Sequence, residues 1–138
     1  MKISKEEITF HDRIVGEVAK REFRYPDHEH PNWHTIPNKP NSTLALRLGS
    51  TIVFPDIAIV DNERVVQMIG EIEIEETVNE AEIEKWEAYS DYCLGELYVY
   101  VPEVRATIAL KLLNSNNIRY ARLIQYSFFY GEIKFQKI

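Results

Sequence analysis

The sequence predicts a single α/β domain over residues 1–138, a mixed β-sheet flanked by helices. Three observations predict it. Segments with helical spacing alternate with β-rich segments along the chain. The run Thr51–Val60 is apolar on both alternating faces, as expected of a central strand. The 138 residues, 45% hydrophobic and 12% aromatic, are enough for one real core, and no repeat or Gly/Ser linker divides them.

The elements follow in order. Residues 5–24 read as a helix, with Ile8, Val15, Val18, Ala19 and Phe23 near helical spacing, and Tyr25-Pro26 ends it. Residues 25–42 hold four of the six prolines and three of the four histidines, which predicts a long loop. Leu44–Leu48 is a short strand stopped by Gly49. Residues 51–60 and 65–74 are strands joined by a turn at Asp61-Asn62-Glu63-Arg64. A helix spans 80–94, with Asn79 as its cap, Glu82 completing a capping box, and Ile83, Trp86, Tyr89 and Cys93 as its apolar face. Gly95 stops it. Leu97–Val101 is a strand ended by Pro102. A helix over 103–114 turns Val104, Ile108 and Leu112 inward, and strands at 119–129 and 132–137 close the chain around Tyr130-Gly131.

Composition narrows the function classes. No apolar stretch approaches the length of a membrane span. The N-terminus lacks the apolar centre of a signal peptide, and Cys93 is the only cysteine, so a cytoplasmic protein without an intrachain disulfide is expected. The net charge of -6 argues against indiscriminate nucleic-acid binding. Its distribution says more. Residues 55–103 carry 14 acidic side chains against Arg64 and Lys85, whereas the rest carries 14 basic against 8 acidic. A metal-binding centre between basic surfaces produces this pattern, as does a solvated acidic helix beside ordinary surface lysines.

The chemistry concentrates at Pro55-Asp56 and Glu71-Ile72-Glu73. A buried, unpaired carboxylate in an apolar run costs several kcal/mol or takes up a proton. With the turn centred on Asn62/Glu63, Val60 faces Val65 and Asp56 lies opposite Ile69. Facing residues share one side of a sheet, and side chains alternate along a strand. Asp56 therefore shares a face with Glu71 and Glu73, and Glu75 continues it further out. Mg²⁺ takes oxygen ligands of this kind, together with water and substrate phosphate, and acts on phosphoryl groups. Alternatively, the glutamates are the wet side of an amphipathic strand, a reading that leaves Asp56 unexplained.

Pro55-Asp56, fourteen intervening residues and then Glu71-x-Glu73, followed by a helix and a strand, resembles the PD-(D/E)xK nuclease superfamily, in particular its small bacterial members common in cyanobacteria. The resemblance covers roughly residues 5–101. It implies a restriction-endonuclease-like core of order αβββαβ, here with a C-terminal helix and hairpin added. It also implies Asp56 and Glu71 as ligands of Mg²⁺ or Mn²⁺, and hydrolysis of the DNA backbone by water. Glu73 stands where the superfamily most often has lysine, and some of its restriction endonucleases resemble this chain in having glutamate there. Glu73 would then be a third ligand or a general base. Lys85 on the next helix could supply the displaced positive charge, unless it is a surface lysine among Glu82, Glu84 and Glu87. A metal-adjacent glutamate on the first helix would be Glu17, with Glu7 and Glu22 as alternatives. Cutting both strands of DNA would call for a homodimer.

From another class comes a catalytically inactive member that binds nucleic acid or a protein partner, favoured by the missing lysine and by a pI of about 5.2. His28, His30 and His34 have spacing that could hold zinc or contact phosphate, although a polar, proline-rich loop is the commoner origin of such a run. The eight tyrosines and Phe128-Phe129-Tyr130 are packing residues by default and base-stacking or dimer residues by exception.

Overall fold

A computed structural model describes residues 3–138. Helix α1, Lys5–Glu22, opens with a capping box. Ser4 Oγ accepts from Glu7 N (3.1 Å), and Glu7 Oε1 accepts from Ser4 N (3.0 Å). The strands are β1 (His34–Pro37), β2 (Leu46–Leu48), β3 (Thr51–Val53), β4 (Ile57–Val60), β5 (Val66–Ile72), β6 (Glu96–Pro102), β7 (Arg122–Phe129) and β8 (Glu132–Lys137). Helix α2, Ile83–Tyr92, joins β5 to β6, and α3, Ala106–Ser115, joins β6 to β7.

Six strands form one mixed sheet in the order β1-β4-β5-β6-β7-β8, and β2 and β3 form a separate hairpin. The middle pairs, β5 with β6 and β6 with β7, are parallel, and the other pairs of the large sheet are antiparallel. Two cores sandwich this sheet. On one side Ile14, Val15, Val18 and Phe23 of α1 pack on Ile57, Ile59, Met68, Ile72 and Tyr100. On the other, Trp86 and Tyr89 of α2 and Ala109 and Leu113 of α3 pack on Ala58, Ile69, Leu97 and Val99. The alternation along β5 sorts its side chains between them. Met68 and Ile72 belong to the α1 side, and Ile69 lies on the α2 side with Glu71 two residues on.

Several sequence expectations need correction. The apolar run 51–60 is not one central strand. It breaks at Phe54-Pro55-Asp56, so β3 folds back on β2 through Gly49 (φ 64°) while β4 enters the large sheet. Pro55 has no N–H to give a ladder, which suits a break between strands. The expected loop 25–42 contains an edge strand, β1, ending at Pro37, a tolerated position for proline. The hairpin register also differs. Ile57 faces Gly70 and Ala58 faces Ile69, with an irregularity between Ile59 and Val60 that absorbs the shift. Continued by one residue, this register sets Asp56 opposite Glu71 rather than Ile69. A two-residue change keeps the face, so the carboxylates still converge.

Helix α2 buries Trp86 and Tyr89 as expected, Cys93 is buried just past its end, and Ile83 is half-buried. Glu82 does not close a capping box with Asn79, because its carboxylate turns to Lys85 (2.7 Å) while Asn79 Oδ1 accepts from Ala81 N (2.8 Å). Gly95 does more than stop the helix. A Cβ there would collide with the Gln67 carbonyl oxygen, to which Gly95 N donates (2.8 Å). The last helix begins at Ala106 after one 3₁₀ turn, so its buried stripe is Ala106, Ala109 and Leu113, and Val104 and Ile108 are exposed.

Candidate metal and phosphate site

The site lies at the C-terminal end of β5, beside the parallel strand β6. In open α/β sheets that end is the common place for ligands, because crossover loops leave a crevice there. Asp56, Glu71 and Glu73 are buried, with 6%, 2% and 1% of their surface exposed. All three line one cleft of about 360 Å³ together with His11, Lys39, Glu82, Lys85 and Tyr89.

Each acid is held differently. Asp56 is fixed by backbone: its N donates to Glu71 Oε2 (2.8 Å), its Oδ2 accepts from Ile72 N (2.9 Å), and its carbonyl accepts from Asn38 N (2.9 Å). His11, from the opposite face of the sheet, completes it. His11 Nε2 donates to Ile72 O (2.9 Å) and lies 3.2 Å from Asp56 Oδ2. Burial works against the imidazolium, but the hydrogen bond and charge of Asp56, helped by Asp12, prevail and push His11 up to about 9.

Glu71 Oε1 sits 3.2 Å from Lys85 Nζ. Burial, reinforced by the charge of Asp56, pushes the Glu71 carboxyl up to about 7 against the pull of Lys85. Glu73 Oε2 accepts from the Trp86 indole N–H (2.9 Å), its N donates to Tyr100 O (2.8 Å), and its carbonyl accepts from the Tyr126 hydroxyl (2.6 Å). Burial raises the Glu73 carboxyl well above the usual range, and Lys85 offsets this only in part. Lys85 itself is held charged. Burial opposes its ammonium, but Glu71, Glu73 and Glu82 together outweigh that.

Glu71, Glu73 and Glu82 each offer an oxygen, and these oxygens lie within 4.8 Å of one another. An all-carboxylate set suits a hard cation. Oxygens on opposite sides of Mg²⁺ are about 4.2 Å apart and of Ca²⁺ about 5 Å, so the spacing fits either ion once the Lys85 ammonium, 3.2 Å from Glu71 Oε1 and 2.7 Å from Glu82 Oε2, moves aside. Asp56 is outside that triangle, although its amide binds Glu71.

The expected residues thus divide. Asp56, Glu71, Glu73 and Lys85 come together. Glu17 does not: it lines a separate cleft with Arg13, Arg21 and Lys134, beside β8. Glu7 is used in the helix cap, and Glu22 accepts from Tyr100 Oη (3.3 Å). The residue of α1 that reaches Asp56 is His11, one helical turn beyond Glu7, with Ile8 and Asp12 beside it in the cleft. His28, His30 and His34 do not converge. His30 stacks on Trp33 (3.7 Å between ring centroids), His34 Nε2 meets Asn62 Oδ1 (2.7 Å), and the described residues form no His-containing metal cluster. His11 and Glu82 were missed as site residues. Glu82 carried a signal, since it precedes Lys85 by three positions on the helix after the motif.

No family model matches the chain, and neither a curated protein nor a solved structure does. Among the described residues no helix is long and apolar enough to cross a membrane.

Proposed function

We propose that this chain is a divalent-metal-dependent phosphodiesterase of the PD-(D/E)xK type that hydrolyses the DNA backbone. One observation carries the reading. Glu71 is buried and carries Lys85 at 3.2 Å, in one cleft with Asp56 and Glu73 at the C-terminal end of β5. Lys85 thus stands where its charge could replace that of a lysine at position 73. The order α1-β1-β4-β5-α2-β6, with the β2–β3 hairpin inserted, supports a restriction-endonuclease-like core.

In this reading Asp56 and Glu71 would hold Mg²⁺ or Mn²⁺, with Glu82 as a further ligand and Glu73 as a third ligand or the general base. Such an ion, when bound, lowers the pKa of a coordinated water and neutralises charge on the phosphate. The chain's own groups do the rest. Glu73, where it is not a ligand, serves as the general base that accepts a proton from the attacking water once its carboxyl is ionised. Lys85 faces the developing charge on the phosphoryl oxygens. His11 keeps Asp56 in place from behind the sheet. Cleavage of both DNA strands would use a homodimer.

A second reading is favoured by Lys85 as well. Its ammonium already balances Glu71 and Glu82, so the cluster is stable without an ion and would suit an inactive module that binds nucleic acid or protein. Nicking of plasmid DNA and oligonucleotides with Mg²⁺ or Mn²⁺ separates the two. The enzyme reading expects cleavage by wild type and none by Asp56→Ala. Wild-type cleavage no greater than that of Asp56→Ala, on duplex, branched and single-stranded DNA, leaves the binding module.

A further inference from the structure

The mouth of the same cleft differs from its floor. The floor is carboxylate, whereas the mouth is apolar: Ile8 and Phe54 line it with 50% and 43% of their surface exposed. Apolar side chains beside a few convergent polar groups are the usual lining of a small-ligand cleft. Lys39 is at the same mouth. Among the described residues no carboxylate lies within 4.0 Å of its ammonium, whereas Lys85 is held between Glu71 and Glu82.

The position of this cation is built into the fold by its neighbour. Asn38 is fully buried. Its Nδ2 donates to Pro55 O (2.7 Å) and Leu44 O (2.9 Å), its Oδ1 accepts from Thr43 N (2.8 Å) and Leu44 N (2.7 Å), and its backbone N donates to Asp56 O (2.9 Å). Every hydrogen-bonding group of that side chain is used. The residue before Lys39 is therefore tied to the two residues that follow Phe54. Lys39 and Phe54 are carried by two segments locked together beside Asp56.

We propose that Lys39 and Phe54 form a nucleotide subsite, in which Lys39 takes a backbone phosphate and the Phe54 ring, with Ile8, takes the face of an unpaired base. This rests on the phosphodiesterase reading and names its substrate class as nucleic acid with an unpaired base beside the scissile phosphate. A base within a duplex has both faces covered by its neighbours, so only an unpaired or extruded base can lie on Phe54. The cleft volume of about 360 Å³ falls in the range of small-ligand clefts, roughly 300–1,000 Å³, which suits one nucleotide and not a duplex.

The test is fluorescence anisotropy with a fluorescein-labelled oligodeoxythymidine and with the duplex it forms with oligodeoxyadenosine, without divalent metal so that nothing is cut. Wild type, Lys39→Gln and Phe54→Ala are compared, and thermal melts confirm that both variants remain folded. The expected result is that wild type prefers the single strand. Phe54→Ala then weakens single-strand binding by roughly tenfold and leaves duplex binding alone. Lys39→Gln weakens both and lowers the slope of log K against log salt by about one. Equal wild-type affinity for both forms, no binding of either, or a Phe54→Ala protein that binds the single strand like wild type overturns the proposal. Cleavage of the labelled single strand with Mg²⁺ or Mn²⁺ is scored separately. Loss of Phe54-dependent binding with cleavage intact removes the subsite alone, whereas Phe54-dependent binding without cleavage removes catalysis alone.

Discussion

Two clefts at the end of β5 carry the same number of carboxylates and treat them in opposite ways. The candidate site is lined by Asp12, Asp56, Glu71, Glu73 and Glu82, faced by His11, Lys39 and Lys85. The neighbouring groove, about 400 Å³, is lined by Glu6, Glu7, Glu75, Glu76 and Glu103 over an apolar floor that includes Phe10 and Phe128, and no lysine, arginine or histidine lines it. In the groove all the glutamates but Glu7 are exposed, and water solvates them. In the site, three acids are buried and need protein donors or cations. Glu73 and Glu75 are two residues apart, yet they fall on opposite sides of this divide because β5 ends and a 3₁₀ turn swings Glu75 outward. Acid density in a sequence therefore says little, and the cost of burial separates a candidate site from a solvated rim.

Removing one acid from each cleft should separate them most strongly. Asp56→Ala and Glu71→Ala are expected to drop DNA nicking to the no-enzyme background, while Glu75→Ala and Glu103→Ala nick at the wild-type rate. Equal losses from both clefts would erase the distinction.

A second contrast is pH. The folded-state pKa of Glu71 is raised from its ordinary value to about 7, so the folded metal-free protein holds a proton that the unfolded chain releases. Its stability contribution is complete at low pH and is lost as pH rises from 4.5 through about 7, on the order of 3 kcal/mol. The folded-state pKa of His11 is raised from 6.5 to about 9, so its stabilisation is complete below 6.5 and is lost as pH rises through about 9. Both act in one direction. Urea melts of metal-free protein from pH 5 to 9 are expected to show falling stability. Glu71→Gln flattens the lower part of that fall, and Glu103→Gln leaves the profile unchanged.

Smaller effects come from the neutral donors. Trp86→Phe leaves buried Glu73 Oε2 without its indole partner and is expected to cost about 1–3 kcal/mol. Tyr126→Phe removes one hydrogen bond to the Glu73 carbonyl and costs about 1 kcal/mol. Least affected are Glu75→Gln and Glu76→Gln, expected within about 0.5 kcal/mol of wild type in the same melts.

Much of the sheet was legible in the sequence, for identifiable reasons. The face shared by Asp56, Glu71 and Glu73 came through because strand periodicity is insensitive to a two-residue error in register. The register itself was hidden by the irregularity at Ile59/Val60, which composition does not mark. The break at Pro55 was hidden by apolar residues on both sides of it. Strand β1 lay among prolines and histidines whose composition reads as loop, and only its pairing with β4 makes it a strand. Of the site, the β5 residues were visible because a strand fixes them locally. His11 was not, since it reaches Asp56 from 45 residues away through the packing of α1 on the sheet. Lys85 was visible as a candidate by its place on the helix after the motif, but only the docking of α2 aims it at Glu71.

Calorimetric titration with Mn²⁺ near pH 8 asks whether the buried carboxylates around Glu71 hold a divalent cation. Glu71→Gln is the fitting comparison, because it removes a buried charge and is not expected to unfold the protein. Wild type is expected to bind Mn²⁺ saturably, with Glu71→Gln abolishing that binding and Glu75→Gln preserving it. No saturable binding by wild type, or binding of equal strength by Glu71→Gln, would mean that Glu71 is not a metal ligand.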